Sequence, residues 1–491
     1  MNIKWVSFIL IPLIFIIMTE RTTIDSFANT EGKLLEDKVN GFSLIYPRSM
    51  QVDTSLQPIR TVLQDAYTKI EIYYDHFTNT LADSAIYMSY SNQMVIADSH
   101  HTVENDETRT INGMTTHMLK WHREKLAKIS NDKNYYVSIE IARTNREVYT
   151  ILMKSSQPIN NESVIMNSFK FIEKTETKPL DVHFKELPVI RSDETLQMYN
   201  HHFKSNRLRW GIYQPDAPDS FTNLKQLEAN FQHTFDYLVR YQSIQHELPK
   251  QALKNAWDQH RLVELTLQTL SSDHKANFTY DILNGNYDTY FQQYAADLKA
   301  FGHPVLFRLN NEMNGDWVGY SAYYSSKDTD LYKAVWTYVY DMFLRNGVDN
   351  VIWVWNPNHE SKPGFAWNHE LMYYPGDEYV DVIGLTAYNT GNYYETVGEK
   401  WRTFKELYEP LYQRYALWSD KPLMITEFAS SSIGGDKEAW IRDMFRVIPQ
   451  YPKIRAAIWW NGIDWDGDTP ARIYTLDDDK AMMDTLRQGF K

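Results

Sequence analysis

Two glutamates stand at the ends of two apolar, strand-like segments in the second half of the chain. Glu312 ends the segment Phe307–Glu312, and Glu427 lies near the end of Leu423–Phe428. Two carboxyl groups on either side of a glycosidic bond can break it, because one protonates the leaving oxygen while the other attacks the anomeric carbon. A gap of about 5 Å between such carboxyl groups predicts retention of configuration, and a gap beyond about 6.5 Å predicts inversion.

Charged, amide and indole side chains crowd the first of these glutamates, within Arg308–Trp317. A lone glutamate at a strand end is most often a surface or salt-bridged carboxylate, so the surroundings decide the interpretation. A fold keeps so many polar groups together mainly where they form a site, since each unpaired buried group costs about 1–3 kcal/mol. An acid at this position needs a raised pKa to hold its proton near neutral pH, and neighbouring aromatic rings and a second carboxylate would supply that rise.

The pattern after about Arg207 predicts the elements that position the two glutamates. Short apolar runs alternate with longer helical stretches, and Gly302 and Gly347 stand where helices should stop before a strand. The predicted strands are Leu208–Tyr213, Phe235–Gln242, Leu262–Thr269, Val305–Asn310, Val351–Asn356, Val380–Tyr388, Leu423–Phe428 and Ala456–Asn461. The predicted helices are Tyr287–Phe301, Asp330–Asn346, Lys400–Tyr415 and Lys437–Ile448. This order predicts an α/β fold with a (β/α)₈ barrel at residues 204–491, whose site lies at the C-terminal ends of the strands.

The first part of the chain predicts a separate small α+β domain at residues 32–174, built on an antiparallel sheet. Tyr135–Arg143 and Glu147–Ser155 flank a polar turn and predict a hairpin. The opening segment Gly41–Pro47 and the later hairpins resemble the PsbP/Mog1-like small domains of secreted bacterial proteins, which implies no chemistry. Residues 175–203 are polar, contain two prolines, and predict a linker.

Residues 1–28 predict a signal peptide. A short basic start is followed by the apolar run Val6–Met18, and Ser26–Ala28 offers a cleavage site of small residues. The run is shorter than the roughly 20 residues that span a membrane, so we expect the protein to be secreted to the extracellular space. An uncleaved segment would instead anchor the protein in the membrane and associate it with the cell surface.

The amino-acid composition limits the kinds of partner and of catalytic chemistry that the protein can have. The net charge of −13 argues against nucleic acid and against an anionic membrane surface. The absence of cysteine excludes thiol catalysis and zinc–thiolate sites. The 71 aromatic residues, 34 Tyr, 22 Phe and 15 Trp, mostly fill cores, but aromatic planes also stack on the apolar faces of sugars. We expect a polysaccharide substrate and no cofactor.

Residues about 205–490 resemble glycoside hydrolase family 26, a group of (β/α)₈ β-glycanases that contains β-mannanases and some β-glucanases and xylanases. The resemblance lies in several motifs that come in the family's order: Arg308–Trp317 (RLNNEMNGDW), Asn350–Asn358 (NVIWVWNPN), Tyr373–Asn389, Lys421–Ser430 (KPLMITEFAS) and Ala456–Asn461 (AAIWWN).

The resemblance implies roles for several of these residues. Glu312 would be the acid/base and Glu427 the nucleophile of a retaining mechanism. Arg308 would organise the carboxylate of the fourth strand, Glu312, and Tyr388 would lie near the nucleophile. Trp355 would either stack on a sugar or pack in the barrel core. Other sugar-binding roles would fall to the remaining polar and aromatic positions: Asn311, Trp317, Trp459 and Trp460. Only one of the last two can face the cleft, because side chains alternate along a strand. We expect it to be Trp459, with Ala457 and Asn461 on the same face.

Two departures from the family pattern weaken the expectation of mannan. Asn311 stands where many family mannanases carry histidine before the acid/base, and Thr386 stands where they often carry aspartate. An Asn–Glu pair is typical of the wider clan, in which the amide binds the sugar 2-hydroxyl. Mannan and β-glucan therefore both remain as substrate classes.

Two alternatives accompany this interpretation. The aspartates of Asp464–Asp468 alternate as in the start of a calcium loop, but the later glycine and bidentate glutamate are missing, so we expect no metal. A non-catalytic, polysaccharide-binding barrel at the cell surface would also use an aromatic cleft. It would have no need of both carboxylates, which favours the hydrolase.

Overall fold

A computed structural model describes residues 32–78, 82–111, 113–188, 191–271, 277–476 and 480–491. The predicted signal peptide lies outside these residues. The chain forms two compact units, which divide between Val182 and His183, except that Phe365–Trp367 group with the first. None of the helices in the described ranges combines the length and apolar character needed to cross a bilayer.

The first unit is the predicted antiparallel-sheet domain. A seven-stranded sheet has the order β3-β4-β5-β9-β8-β7-β6, and a smaller sheet has the order β1-β2-β10. The strands are β1 Gly32–Asp37, β2 Phe42–Pro47, β3 Gln51–Asp53, β4 Arg60–Gln64, β5 Thr68–His76, β6 Thr102–Ile111, β7 Met114–His122, β8 Tyr135–Thr144, β9 Glu147–Ser155 and β10 Lys170–Phe171. Two helices accompany them, α1 Ser84–Ala97 and α2 Glu162–Ser168. The predicted hairpin is β8–β9, and its alternating inward residues join one apolar core with both sheets.

The second unit is a closed barrel of eight strands that pair in chain order, so the predicted (β/α)₈ barrel is confirmed. The barrel strands are β11 Arg209–Tyr213, β12 Tyr237–Ser243, β13 Leu262–Gln268, β14 Val305–Leu309, β15 Val351–Trp355, β16 Val382–Thr386, β17 Leu423–Phe428 and β18 Ile454–Trp460. A hairpin follows the last strand, β19 Ile463–Asp466 and β20 Thr469–Ile473. All neighbouring barrel strands are parallel, so their carboxyl ends share one rim.

Helices cover the outside of the barrel. They are α3 Asp193–Tyr199, α4 Thr222–Phe231, α5 Lys250–Trp257, α6 Thr279–Asn284, α7 Asp288–Phe301, α8 Thr329–Arg345, α9 Phe404–Trp418, α10 Lys437–Val447 and α11 Lys480–Gly489. The four predicted helices correspond to α7, α8, α9 and α10. The prediction missed several short helices, because six to ten residues give too few turns for a clear apolar period.

The segment predicted as a linker ends in ordered structure of the second unit. Helix α3 continues into a π-helical turn, Asn200–Lys204, and Phe203 packs with the apolar side chains at the starts of the barrel strands. Tyr237, Leu262 and Met424 are among those side chains. An open barrel end would leave these groups in water, so Phe203 acts as a plug at the end opposite the strand carboxyl termini.

Candidate active site

Glu427 lies on β17 with its carboxylate in the barrel mouth. The register against β16 and β18 shifts around this position, and the irregularity allows Glu427 to face inward while Phe428 packs outside. One carboxylate oxygen lies 2.7 Å from Arg308 Nη1. The other accepts a 2.7 Å hydrogen bond from the Tyr388 hydroxyl. With 6% of its surface exposed, Glu427 is held in one orientation and remains open toward the mouth.

Glu312 follows β14 in an unusual backbone conformation. Its φ is +54° and that of Asn310 is +51°, in the left-handed region that side chains other than glycine seldom adopt. The backbone N–H of Glu312 donates to the carbonyl of Asn356 at 2.7 Å, which fixes this turn. The side chain of Asn358 donates to Glu312 Oε1 at 2.5 Å. Strained backbone of this kind persists where the surroundings hold a side chain for a function.

Burial and the nearby negative charge of Glu427 raise the pKa of Glu312 to about 7. Hydrogen bonds from Asn358 and Trp317 and the charge of Arg308 oppose this rise. Glu427 acts on Glu312 from the same rim, where β14 and β17 both end. A carboxylic acid that keeps its proton close to neutral pH, beside a second carboxylate, can act as a general acid.

Arg308 occupies the centre of the barrel beneath the two glutamates. Its guanidinium is fully buried and donates to Thr266 Oγ1 at 2.8 Å and to Asn356 Oδ1 at 2.9 Å. It also pairs with Glu427 and with a third carboxylate, Glu264. The expectation that Arg308 organises Glu312 is wrong, because its ion pairs are with Glu427 of β17 and Glu264 of β13.

Asn311 and Trp317 lie on either side of Glu312 in sequence and differ in exposure. Asn311 is buried, and its amide oxygen accepts hydrogen bonds from Gln268 Nε2 at 3.0 Å and from the Tyr320 hydroxyl at 3.3 Å. Trp317 is 45% exposed, and its indole hydrogen-bonds to the Glu312 carboxylate. The first therefore presents an oriented amide, and the second presents an indole at the rim.

The expectation for Trp459 is wrong, and Trp460 is the tryptophan in the mouth. Trp459 packs against Phe428 and Trp440 of α10, and its indole donates to the carbonyl of Tyr474. Trp460 stacks on Tyr213 at 5.2 Å between ring centroids and lies beside Tyr388. The inward residues before it are Ala456 and Ile458, so Ala457 and Trp459 face the helices.

Trp355 faces away from the mouth, so barrel-core packing, the second of its two expected roles, is the correct one. Its ring packs between the barrel and the outer layer, with Tyr374 at 5.2 Å and Tyr415 at 6.5 Å between ring centroids. Val354 is the inward residue of β15 at this height. Trp355 is therefore core packing, and the polar groups that β15 supplies to the site come after it, from Asn356 and Asn358.

Three groups at this site were missed by the sequence analysis: Glu264, Asn358 and Tyr241. The guanidinium carbon of Arg308 lies 5.5 Å from the centre of the Tyr241 ring. A cavity of about 480 Å³ opens beside Tyr241 and Gln268, at the ends of β12 and β13. A charged residue at an inward position of an otherwise apolar strand is the signal that identifies Glu264, since the neighbouring inward residue Leu262 belongs to the barrel core.

The aspartates after β18 belong to the β19–β20 hairpin. Asp464 pairs with Arg472, which also pairs with Glu399, and Trp465 is 58% exposed. Within the residues that the structure describes, no three histidine or acidic side chains are arranged to hold a metal ion.

Comparison with known proteins finds a family model that matches part of the barrel. The family model described as glycosyl hydrolase family 26 matches residues 256–412, from α5 to α9. Over this stretch the barrel is similar to glycosyl hydrolase family 26. The matched part of the barrel contains Arg308 and Glu312, and Glu427 lies beyond it.

Individual relatives are similar to parts of the chain. The chain is 38% identical over 186 residues to Endoglucanase H of Acetivibrio thermocellus, which is 37% of this chain and 20% of that protein. It is 38% identical over 102 residues to a mannan endo-1,4-beta-mannosidase of Bacillus subtilis, which is 19% of this chain and 25% of that protein. The chain thus aligns with about a fifth to a quarter of the length of these relatives.

Solved structures of family 26 domains show a more distant likeness. The catalytic domain of an endo-beta-1,4-mannanase from Bacillus sp. JAMB-750 is 15% identical, with a TM-score of 0.45 over 64% of this chain and 94% of that one. The mannanase man26 of Bacillus subtilis is 20% identical, with a TM-score of 0.40 over 57% and 96%.

Proposed function

We propose that this protein is a secreted, retaining β-glycan hydrolase of the mannan or β-glucan class. Glu427 attacks the anomeric carbon and forms a glycosyl–enzyme intermediate. Glu312 gives its proton to the leaving oxygen and then takes a proton from the water that releases the sugar. The named relatives, an endoglucanase and mannan endo-1,4-beta-mannosidases, support the β-glycan class.

The observation that carries this proposal is the unlike setting of two neighbouring carboxyl groups. Arg308 and Tyr388 hold the Glu427 carboxylate from two sides, as an attacking group requires. Glu312 has a pKa of about 7, which keeps it protonated for the first step. Once Glu427 is consumed in the covalent intermediate, its negative charge is gone and the pKa of Glu312 falls. Glu312 is then able to serve as a base.

The rim supplies groups for holding a sugar. The amide oxygen of Asn311 is occupied by Gln268 and Tyr320, so its amide nitrogen is left to donate to a sugar hydroxyl. Trp460 offers a ring face beside Tyr388, and Trp317 offers an exposed indole next to Glu312. These groups suit an uncharged glycan, in agreement with the net negative charge of the chain.

The test is the release of reducing sugar from mannan, mixed-linkage glucan, xylan and cellulose by the full chain and its variants. Glu427→Ala and Glu312→Ala should each lower turnover by about 10²–10⁴-fold or more. Glu378→Ala is the control, since this exposed carboxylate precedes β16 at the opposite end of the barrel. Binding without release by the unaltered protein would favour the non-catalytic barrel, and near-normal activity of both variants would overturn the roles of the glutamates.

Two further measurements separate the two roles. In an aryl glycoside of an acidic phenol, the phenolate leaves without being protonated. Glu312→Ala should therefore lose much less activity on this substrate than on a polysaccharide. Glu427→Ala should lose activity on both substrates. The anomer first released, followed by proton NMR, should keep the configuration of the substrate. Release of the inverted anomer would contradict the double displacement.

A further inference from the structure

A third carboxylate lies inside the barrel, below the two glutamates at the mouth. Glu264 is at an inward position of β13, and none of its surface is exposed. The residues aligned with it on the neighbouring strands, Val239 and Leu306, are apolar members of the barrel core. Burying a carboxylate in such a place costs several kcal/mol unless a partner compensates it. We therefore expect the buried carboxylate of Glu264 to have a specific role in the barrel.

The compensating partner is Arg308, which Glu264 shares with Glu427. Arg308 Nε lies 2.6 Å from Glu264 Oε1, while Nη1 lies 2.7 Å from Glu427 Oε1. Neutral groups already accept from the same nitrogens, since Thr266 is 2.8 Å from Nε and Asn356 is 2.9 Å from Nη1. Neutral oxygens are therefore available to orient the guanidinium. What Glu264 adds is a negative charge and a short contact that fixes Nε.

The charges that face Glu264 come from two strands. Arg308 of β14 favours its ionised form, and Glu427 of β17 opposes it. Burial is the largest effect and raises the pKa of Glu264 to about 7. From β12, the Tyr241 ring lies against the same guanidinium. Glu264 thus gains its charge over the pH range in which Glu312 loses its proton.

We propose that Glu264 is a positioning residue that holds Arg308 against Glu427 and keeps that cation from neutralising Glu427 completely. This inference rests on the proposed function, because it concerns the same two glutamates. With Glu264 ionised, one positive charge serves two carboxylates. Glu427 then keeps more of its nucleophilic charge, and Glu312 keeps its proton to higher pH. Without the negative charge of Glu264, the full positive charge of Arg308 acts on Glu312 and Glu427.

The test is the pH dependence of kcat/KM for Glu264→Gln, which keeps the shape of the side chain and removes its charge. The alkaline limb reports the loss of the Glu312 proton. It should move to lower pH by about half a unit or more, because a nearby negative charge has been removed. The acid limb should move less, since Glu264 is already neutral there. kcat should fall by about tenfold or more.

A buried ion pair elsewhere in the barrel provides the control. Glu228 of α4 pairs with Arg261 at 2.5 Å and 2.8 Å and is also buried, with 8% of its surface exposed. Glu228→Gln should lower the thermal midpoint and leave both limbs of the pH profile in place. Two results would overturn the positioning role. In the first, Glu264→Gln folds and has the pH profile of the unaltered protein. In the second, Glu264→Gln loses activity only to the extent that Glu228→Gln does.

A shorter side chain tests the contact apart from the charge. Glu264→Asp keeps the carboxylate but draws it away from Arg308 Nε, so kcat should fall while the alkaline limb stays near its original pH. Unchanged kcat in this variant would overturn the proposal even if Glu264→Gln failed to fold. Failure of the proposed function is a separate result: the unaltered chain would release no sugar, or Glu427→Ala would remain active.

Discussion

At the scale of single residues, two identical side chains differ because of what surrounds them. Glu427 is held by an ion pair with the Arg308 guanidinium and by a hydrogen bond that the Tyr388 hydroxyl donates. Glu312 is partly buried, accepts hydrogen bonds from the Asn358 amide and the Trp317 indole, and experiences the charge of Glu427. Environment alone therefore divides the work of proton donor and nucleophile between the two glutamates, as the pairing of acid and base requires.

The raised pKa of Glu312 predicts a stability change with a definite sign. Its pKa rises from the ordinary value of 4.5 to about 7 on folding. The contribution of Glu312 to the free energy of unfolding is therefore fully present below about pH 4.5 and is lost as the pH rises through about 7. Glu312→Gln has no proton to lose, so its stability relative to the unaltered protein should increase across this window, by about 3 kcal/mol in total.

Urea unfolding at several pH values between 4 and 8 measures this difference. Glu378→Gln alters an exposed carboxylate at the far end of the barrel, so its difference from the unaltered protein should not change with pH. Parallel stability curves for Glu312→Gln and the unaltered protein would show that the pKa is not raised on folding.

At the scale of single elements, the period of two along each strand decides which aromatic rings reach the mouth. On β18, Ile458 faces the barrel interior and Trp459 faces the helices, so Trp460 comes to the mouth. On β17 an irregular register breaks this alternation and brings Glu427 inward next to the outward Phe428. Of two adjacent residues on one strand, one therefore packs against the outer layer and the other contributes to the site.

Alanine substitutions at the two tryptophans of β18 should separate these roles. Trp460→Ala removes a ring in the mouth, so kcat/KM on polysaccharide should fall about tenfold or more, with a small change in stability. Trp459→Ala opens a cavity between β18 and α10 and should cost about 3–5 kcal/mol of stability. Thermal unfolding and initial rates on both variants distinguish them. An exchange of these two effects would mean that the strand faces are assigned the wrong way round.

At the scale of the second unit, the barrel has an open working end and a plugged end. The ends of β14 and β17 supply Glu312 and Glu427 to the open rim, while Phe203 closes the other end from a segment that precedes the first strand. Burial of Phe203 is nearly complete, at 1% exposure. The segment before β11 is therefore part of the barrel's core and stabilises it without touching the site.

Phe203→Ala should destabilise the second unit by about 3–5 kcal/mol, because it leaves a cavity among the starts of the barrel strands. The fraction that remains folded should have nearly unchanged kcat, since the site lies at the other end. Leu196→Ala, on the same short helical segment but 43% exposed, should cost less than about 1 kcal/mol. Denaturant unfolding gives both values, and equal losses would mean that Phe203 is not a plug.

The sequence by itself determined the barrel and its two glutamates, because apolar runs that alternate with helical stretches have few other solutions. It also predicted the antiparallel first domain through the Tyr135–Ser155 hairpin. The sequence analysis chose the wrong tryptophan at Trp459 and Trp460. The alternation of side chains along a strand is clear in the sequence, but which of the two sets faces inward is decided when the barrel closes. Glu264 was missed because a single acidic residue in a strand carries no signal of its partner.

Only the tertiary structure decided which distant groups meet. Arg308 pairs with Glu264 and Glu427, from strands on different sides of the barrel, and the register shift at β17 is visible only once β16 and β18 are in place. The pKa of Glu312 likewise depends on burial and on the nearby charge of Glu427. Electrostatic interactions depend on distance in space and on exposure to water, and the order of residues along a chain fixes neither.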